Sequence, residues 1–334
     1  MRSSFHAVLL VIVAVLLPLA GGCASDKQVI SQAAQVHDGL RPAVMTDPEL
    51  AGYIQNVGDR VIATARQMDQ QGFGPKSHKG QDSTWMFSNS MTFHFVASNT
   101  LNAFTTGGEH MYIYSKLFEE CKNEDELAAV VAHEYSHVYA RHVAKGMNRQ
   151  YAMLGATAAA GAAGYAAGGK DNSTAYAASF AGAAAAAGQF IGMGYTRGDE
   201  READSLGFQF YSRAGWDPNR FSGFFQTLID QGLDKTPEYA SDHPTLASRV
   251  QDCKKWVAEL PPDSPAWRKP PVANEAKFKQ MQQRAIQITN AMPKDDSLNK
   301  AKLLLAAFPS CVTPADQPEQ VIARAKLKAL TGTK

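Results

Sequence analysis

The stretch Asn123-Glu124-Asp125-Glu126-Leu127-Ala128-Ala129-Val130-Val131-Ala132-His133-Glu134-Tyr135-Ser136-His137 decides how this chain is read. Asn123 followed three residues later by Glu126 is a helix start, and Leu127, Val130, Val131 and Val138 continue one apolar stripe. The pattern predicts a helix running to about Lys145, with Gly146 as its C-terminal cap. On that helix His133 and His137 stand at i and i+4 and project from one face. Two imidazoles in that arrangement can hold one zinc ion, with Glu134 kept beside it. An ordinary pair of helix-surface histidines has the same spacing, so the remaining ligands have to be sought elsewhere.

A catalytic zinc needs a third protein ligand and an open position for water. Glu200-Arg201-Glu202-Ala203-Asp204 provides candidates. Glu200 and Asp204 share a helix face, so one can bind metal while the other accepts a hydrogen bond from a ligand histidine. Glu202 faces about 200° away from Glu200 and is read as solvated or paired with Arg201 or Arg197. His142 misses the face of His137 by roughly 140° on a continuous helix, which leaves it as a charge near the helix C-terminus.

Before this helix, Asp47-Pro48 opens a second helix carrying Leu50, Tyr53, Ile54, Val57, Val61 and Ile62, stopped by Gly72-Phe73-Gly74-Pro75. Thr92–Val96, Asn102–Phe104 and Met111–Tyr114 read as two or three short strands, with Thr106-Gly107-Gly108 turning between the last two. Asp26 to Thr46 suits a tether or a peripheral helix. Beyond the central helix, 25 of the 37 residues in 152–188 are Ala or Gly. This composition favours a close-packed helical hairpin over 151–196, covering the protein or resting on a membrane surface. Pro261-Pro262 and Pro270-Pro271 bracket a linker, after which 261–334 reads as a small helical appendage.

Residues 1–22 read as an export signal: Arg2, an apolar run from Ala7 to Leu17 too short to span a bilayer, then Ala20-Gly21-Gly22. Cys23 follows as in a bacterial lipoprotein box, and Ala24-Ser25 behind it favours the outer membrane. The chain has 334 residues, 45% hydrophobic and 19% charged, and 33 basic against 32 acidic side chains. That balance gives no electrostatic drive toward nucleic acid. With no C-x-x-C pair among four cysteines, metal chemistry falls to His and Glu. An oxidising compartment would allow a Cys253–Cys311 disulfide, whereas Cys121 reads as a buried thiol.

Asn102-Ala103-Phe104, Gly107-Gly108, Asp125–Val130, His133–His137, Arg141-His142, Glu200–Asp204 and His243-Pro244 occur in an order that resembles HtpX-, Oma- and BepA-type zinc metalloendopeptidases, gluzincins of peptidase family M48. The resemblance covers roughly residues 45–255. It implies an α+β, mainly helical zincin-like fold with a small sheet and an active-site helix. It also implies one Zn2+ per chain on His133, His137 and Glu200, with Glu134 as base, Asp204 as acidic partner and His243 near the metal. Arg249 is read either as an aid to the oxyanion or as structural. The expected protein is an outer-membrane lipoprotein facing the periplasm, with a tether at 23–46 and a peptidase domain at 47–260. Its expected partners are misfolded or unassembled envelope polypeptides, bound along the edge of the Phe93–Val96 or Met111–Tyr114 strand. A second reading is an outer-membrane assembly factor or chaperone with a latent metal site.

Overall fold

A computed structural model of the chain describes residues 24–75, 78, 81–157, 172–234, 244–268, 274–310, 313 and 317–331. The expected lipidation site Cys23, His243, Cys311 and the middle of the Ala/Gly-rich segment lie outside the described residues.

Helix α1 (Asp26–Leu40) starts where the Ser25 side chain accepts from the Gln28 amide. Val29, Ala33, Val36 and Leu40 form a buried stripe along it, so this segment is a packed helix. Helix α2 (Pro48–Gln70) begins as the sequence predicts, with the Asp47 carboxylate accepting from the Leu50 amide at 3.0 Å, a cap worth about 1 kcal/mol.

The sheet has strand order β1-β3-β2, from β1 (Thr92–Val96), β2 (Ala103–Thr105) and β3 (His110–Tyr114). β1 runs parallel to β3 with Thr92 opposite His110, and β2 runs antiparallel with Phe104 opposite Tyr112. Alternation gives the sheet two chemically different faces. Phe93 packs at Gly58 of α2, where any β-carbon would overlap its ring. Thr92, His94, His110 and Tyr112 face the other way, toward His37 of α1.

The chain then forms α3 (Ser115–Glu120), α4 (Glu124–Tyr139), α5 (His142–Thr157), α6 (Asn172–Met193) and α7 (Arg197–Arg213). The central helix therefore ends six residues before Lys145. Arg141 adopts a left-handed conformation with φ 55°, which costs a non-glycine residue about 1–2 kcal/mol. Its guanidinium is held by Asp26 of α1 and by the Asp82 carbonyl at 2.9 Å. Gly146 lies inside α5 rather than capping α4, and a β-carbon there would collide with Met193.

Helix α6, the second arm of the Ala/Gly-rich segment, buries Phe180, Ala183, Ala187 and Phe190. Gly39 of α1 meets Ala183 so closely that an added β-carbon would lie 2.4 Å from it. Among the described residues, no helix is long and apolar enough to cross a membrane.

Helices α8 (Gly223–Asp230), α9 (Leu246–Ala258), α10 (Glu275–Ala291), α11 (Asp296–Ala307) and α12 (Pro318–Thr331) complete the described chain. Phe278, Met281, Leu298, Leu304 and Leu305 join the main apolar core. The Tyr114 hydroxyl donates to the Leu305 carbonyl at 2.6 Å, so the C-terminal helices are built into the body of the protein. Among the described residues Cys121 and Cys253 are buried free thiols, and the expected partner Cys311 lies outside the described residues.

Candidate metal centre

The site is assembled by two helices that touch backbone to backbone. Gly207 of α7 faces α4 so closely that a β-carbon would sit 3.1 Å from the His133 amide nitrogen and 3.2 Å from the Ala132 carbonyl. Glu200, Asp204 and Gly207 share one helix face, so the same contact that brings the helices together turns both carboxylates toward the histidines. The start of α7 is fixed by a reciprocal cap: the Thr196 hydroxyl accepts from the Asp199 amide, and the Asp199 carboxylate accepts from the Thr196 amide.

His133, His137 and Glu200 each offer a ligand atom, all within 4.8 Å of one another. The two Nε2 atoms are 3.0 Å apart, and the Glu200 oxygens lie 3.5 Å from His133 Nε2 and 3.8 Å from His137 Nε2. All three side chains are buried, and Glu134 between the two histidines is buried as well. Asp204 is matched by Arg249 of α9 through two close contacts, at 2.7 Å from Nε and 2.6 Å from Nη2. Glu134 and Glu200 add two further buried carboxylates. This nitrogen and oxygen donor set fits a divalent transition-metal ion.

The far side of each histidine is also held. His133 Nδ1 lies 2.9 Å from Asp204 Oδ1. Burial works to lower the His133 pKa, but its hydrogen bonds to Asp204 and Glu200 outweigh burial and hold it up at about 9. Burial likewise opposes ionisation of Asp204, yet Arg249 keeps its pKa below the usual carboxylate value. His137 is pushed well below the ordinary histidine range, mainly by burial. Its Nδ1 lies 3.0 Å from His142 Nδ1, and His142 Nε2 lies 3.0 Å from Glu202. Lys145 donates to the same Glu202 oxygen. The hydrogen bond from His142 lowers the Glu202 pKa to about 2.

Two expectations are corrected here. His142 is buried against His137, because the helix breaks at Arg141 and the angle computed for a continuous helix does not apply. Glu202, expected to be solvated or paired with Arg201 or Arg197, is paired with His142 and Lys145. Arg249, which the sequence left open, is ion-paired with Asp204 and stacked over Phe225 at 4.0 Å.

The sheet edge is also revised. β3 is the central strand, and the outer edge of β1 is occupied by residues 43–45: the Met45 amide donates to the Phe95 carbonyl and Ala97 to Ala43. β2 is left as the edge strand beside α4. The Tyr114 amide bonds the Asn102 carbonyl, so by antiparallel alternation the main-chain groups of Ala103 and Thr105 point outward. Tyr195 covers this corner: its ring stacks on His137 at 3.8 Å and its hydroxyl donates to the Thr105 carbonyl at 3.2 Å. Nothing in the sequence singled out Tyr195.

The sequence profile of peptidase family M48 matches residues 83–257, a span that contains β1 to β3, α4, α7 and all but the last residue of α9. The chain is 33% identical to a beta-barrel assembly-enhancing protease of Yersinia pestis over 218 residues, 65% of this chain and 40% of that protein. It is 30% identical to one of Escherichia coli K12 over 262 residues, 74% and 48% of the respective lengths. It is 28% identical to the mitochondrial metalloendopeptidase OMA1 of Schizosaccharomyces pombe over 178 residues, 50% and 46%. The chain thus spans less than half the length of these relatives. The matched residues enclose the whole His133, His137 and Glu200 cluster, and the chain belongs to peptidase family M48.

Proposed function

We propose that this protein is a zinc-dependent endopeptidase acting on misfolded or unassembled envelope polypeptides. The observation that carries the reading is the convergence of His133 and His137 from α4 with Glu200 from α7, next to the buried Glu134. When bound, zinc supplies a Lewis acid that polarises a peptide carbonyl and makes a water acidic enough to ionise near neutral pH. Glu134 takes the proton of the attacking water and delivers it to the departing amine. Asp204 fixes the His133 ring through Nδ1, and His142 does the same for His137, so both Nε2 atoms stay aimed at the ion. Arg249 acts through Asp204, as the partner that keeps that carboxylate ionised. A peptide adding to the outward groups of β2 would bring its main chain beside α4. Such recognition reads extended backbone, which suits unfolded substrates.

The compartment is part of the same proposal. An export signal over 1–22 and lipid on Cys23 would hold the protein at the periplasmic side of the outer membrane, where α1 begins three residues later. Mass spectrometry of the mature N-terminus tests the lipid: a free amine at another residue removes it. The names of the bacterial relatives support a second role in outer-membrane barrel assembly. The cover that Tyr195 lays on His137 favours a site that is latent until opened.

Glu134→Gln tests the chemistry. The variant is expected to retain one zinc on the His133 cluster and to lose about 10²–10⁴-fold of its rate on unfolded casein. Wild-type cleavage by a zinc-loaded variant would overturn the mechanism.

A further inference from the structure

We propose that His37, His94 and His110 form a second transition-metal site, one that fastens α1 to the sheet. These residues come from α1, β1 and β3, and each offers a ring nitrogen within 4.8 Å of the others. His94 Nε2 and His110 Nδ1 are 3.1 Å apart. The two ligand histidines of the family site in this same molecule stand 3.0 Å apart, so the spacing matches an internal standard. Thr92 Oγ1 closes a triangle, 3.1 Å from His94 Nε2 and 2.8 Å from His110 Nδ1. The hydroxyl has one proton to give and each neutral imidazole has one N–H on either of its two nitrogens. The Thr92 hydroxyl also donates to the Glu109 carbonyl at 3.2 Å, which leaves its oxygen free to accept from either ring. The His37 ring stacks on His110 at 3.9 Å, and its Nδ1 is 3.0 Å from the Tyr112 hydroxyl. Tyr112 thus orients His37 as Asp204 orients His133.

The chemistry of the set selects the ligand. Three imidazoles without a carboxylate or thiolate suit a borderline divalent ion such as zinc, with water or Thr92 in a fourth position. Calcium and magnesium, which require several oxygen ligands, are excluded. All three rings are partly buried, and burial lowers their pKa, to about 4 for His37 and about 3 for His94. The consequence is structural: an ion here ties the first helix of the described chain to two strands that are distant from it in sequence.

The test uses the full-length Glu134→Gln protein, which cannot digest itself, stripped with chelator, reloaded with Zn2+ and freed of excess ion. Metal analysis is expected to return two zinc ions per chain. His94→Asn and, separately, His37→Asn should each return one, and adding His133→Asn to either should return none. Amide hydrogen exchange gives a second reading: zinc should slow exchange in α1, and the effect should vanish in both variants. The proposal is overturned if the parent holds one ion that His133→Asn removes. It is equally overturned if a second ion survives both His94→Asn and His37→Asn, because that ion lies elsewhere.

Discussion

The cluster of His133, His137 and Glu200 is buried between two helices, whereas that of His37, His94 and His110 is half-buried between one helix and two strands. Both bring two ring nitrogens to about 3 Å, so the distance between donors does not separate them. Their surroundings do. The helical cluster has a carboxylate among its candidate ligands, a second carboxylate beside one of its histidines in sequence, and an anchored partner behind each histidine. The strand cluster has hydroxyls for company, from Thr92 and Tyr112, and no acidic ligand. The contrast shows how one ion can serve different ends: a proton-accepting side chain beside the metal suits reaction chemistry, while its absence suits cross-linking.

The strongest way to sharpen the contrast is to remove the anchors of the helical cluster. Asp204→Ala leaves the Arg249 guanidinium buried without its bidentate partner and should cost about 3–5 kcal/mol of stability. Zinc affinity should also fall about 10–100-fold. His142→Asn removes the other anchor without stranding a charge, so affinity should fall by a similar factor with little change in melting. Denaturation and competitive zinc titration read both effects, and neither substitution should alter zinc uptake at His94. Equal zinc loss from both clusters would collapse the distinction.

Gly207→Ala attacks the helix contact itself. A methyl group at 3.1–3.2 Å from the α4 backbone must push the helices apart, at about 1–3 kcal/mol. The helical cluster should lose zinc affinity while the strand cluster keeps it. The smallest effect lies outside both clusters and calibrates their acid behaviour. The hydrogen bond from Arg284 lowers the Asp47 pKa to about 2. A carboxylate with a depressed folded pKa stabilises the fold above its unfolded value of about 3.9. That contribution is lost as pH falls through about 2. Arg284→Gln should reduce it, leaving the part supplied by the Leu50 amide, and should make stability fall less steeply between about pH 4 and 2 in acid titrations followed by circular dichroism.

The helical cluster was largely legible in the sequence because its spacing is local. His133 and His137 are one helical turn apart, and so are Glu200 and Asp204; periodicity alone puts each pair on a face. The partner of His137 was hidden because Arg141, with no glycine or proline to announce it, takes a left-handed turn that reorients His142. Glu202 was misread because its partners belong to a different helix. The strand cluster was invisible for a related reason: positions 37, 94 and 110 have no common spacing, and only the parallel pairing of β1 with β3 under α1 unites them. The packing of α1 and of the C-terminal helices was missed because polar, weakly periodic segments can still bury one stripe each.

Tyr195 joins the ring of His137, a candidate metal ligand, to the outward carbonyl of the edge strand through a single side chain. Under the proposed function, a peptide that bonds this carbonyl competes with the hydroxyl, and loss of the hydroxyl bond would loosen the ring on His137. Access to backbone recognition and access to the ion are therefore coupled events. Apparent affinity for any peptide is its intrinsic affinity multiplied by the fraction of molecules with this side chain turned away. A chain offering many consecutive main-chain bonds can repay that conformational toll, while a short or already folded segment cannot. Under the proposed function, selection by substrate foldedness would enter before any bond is cut.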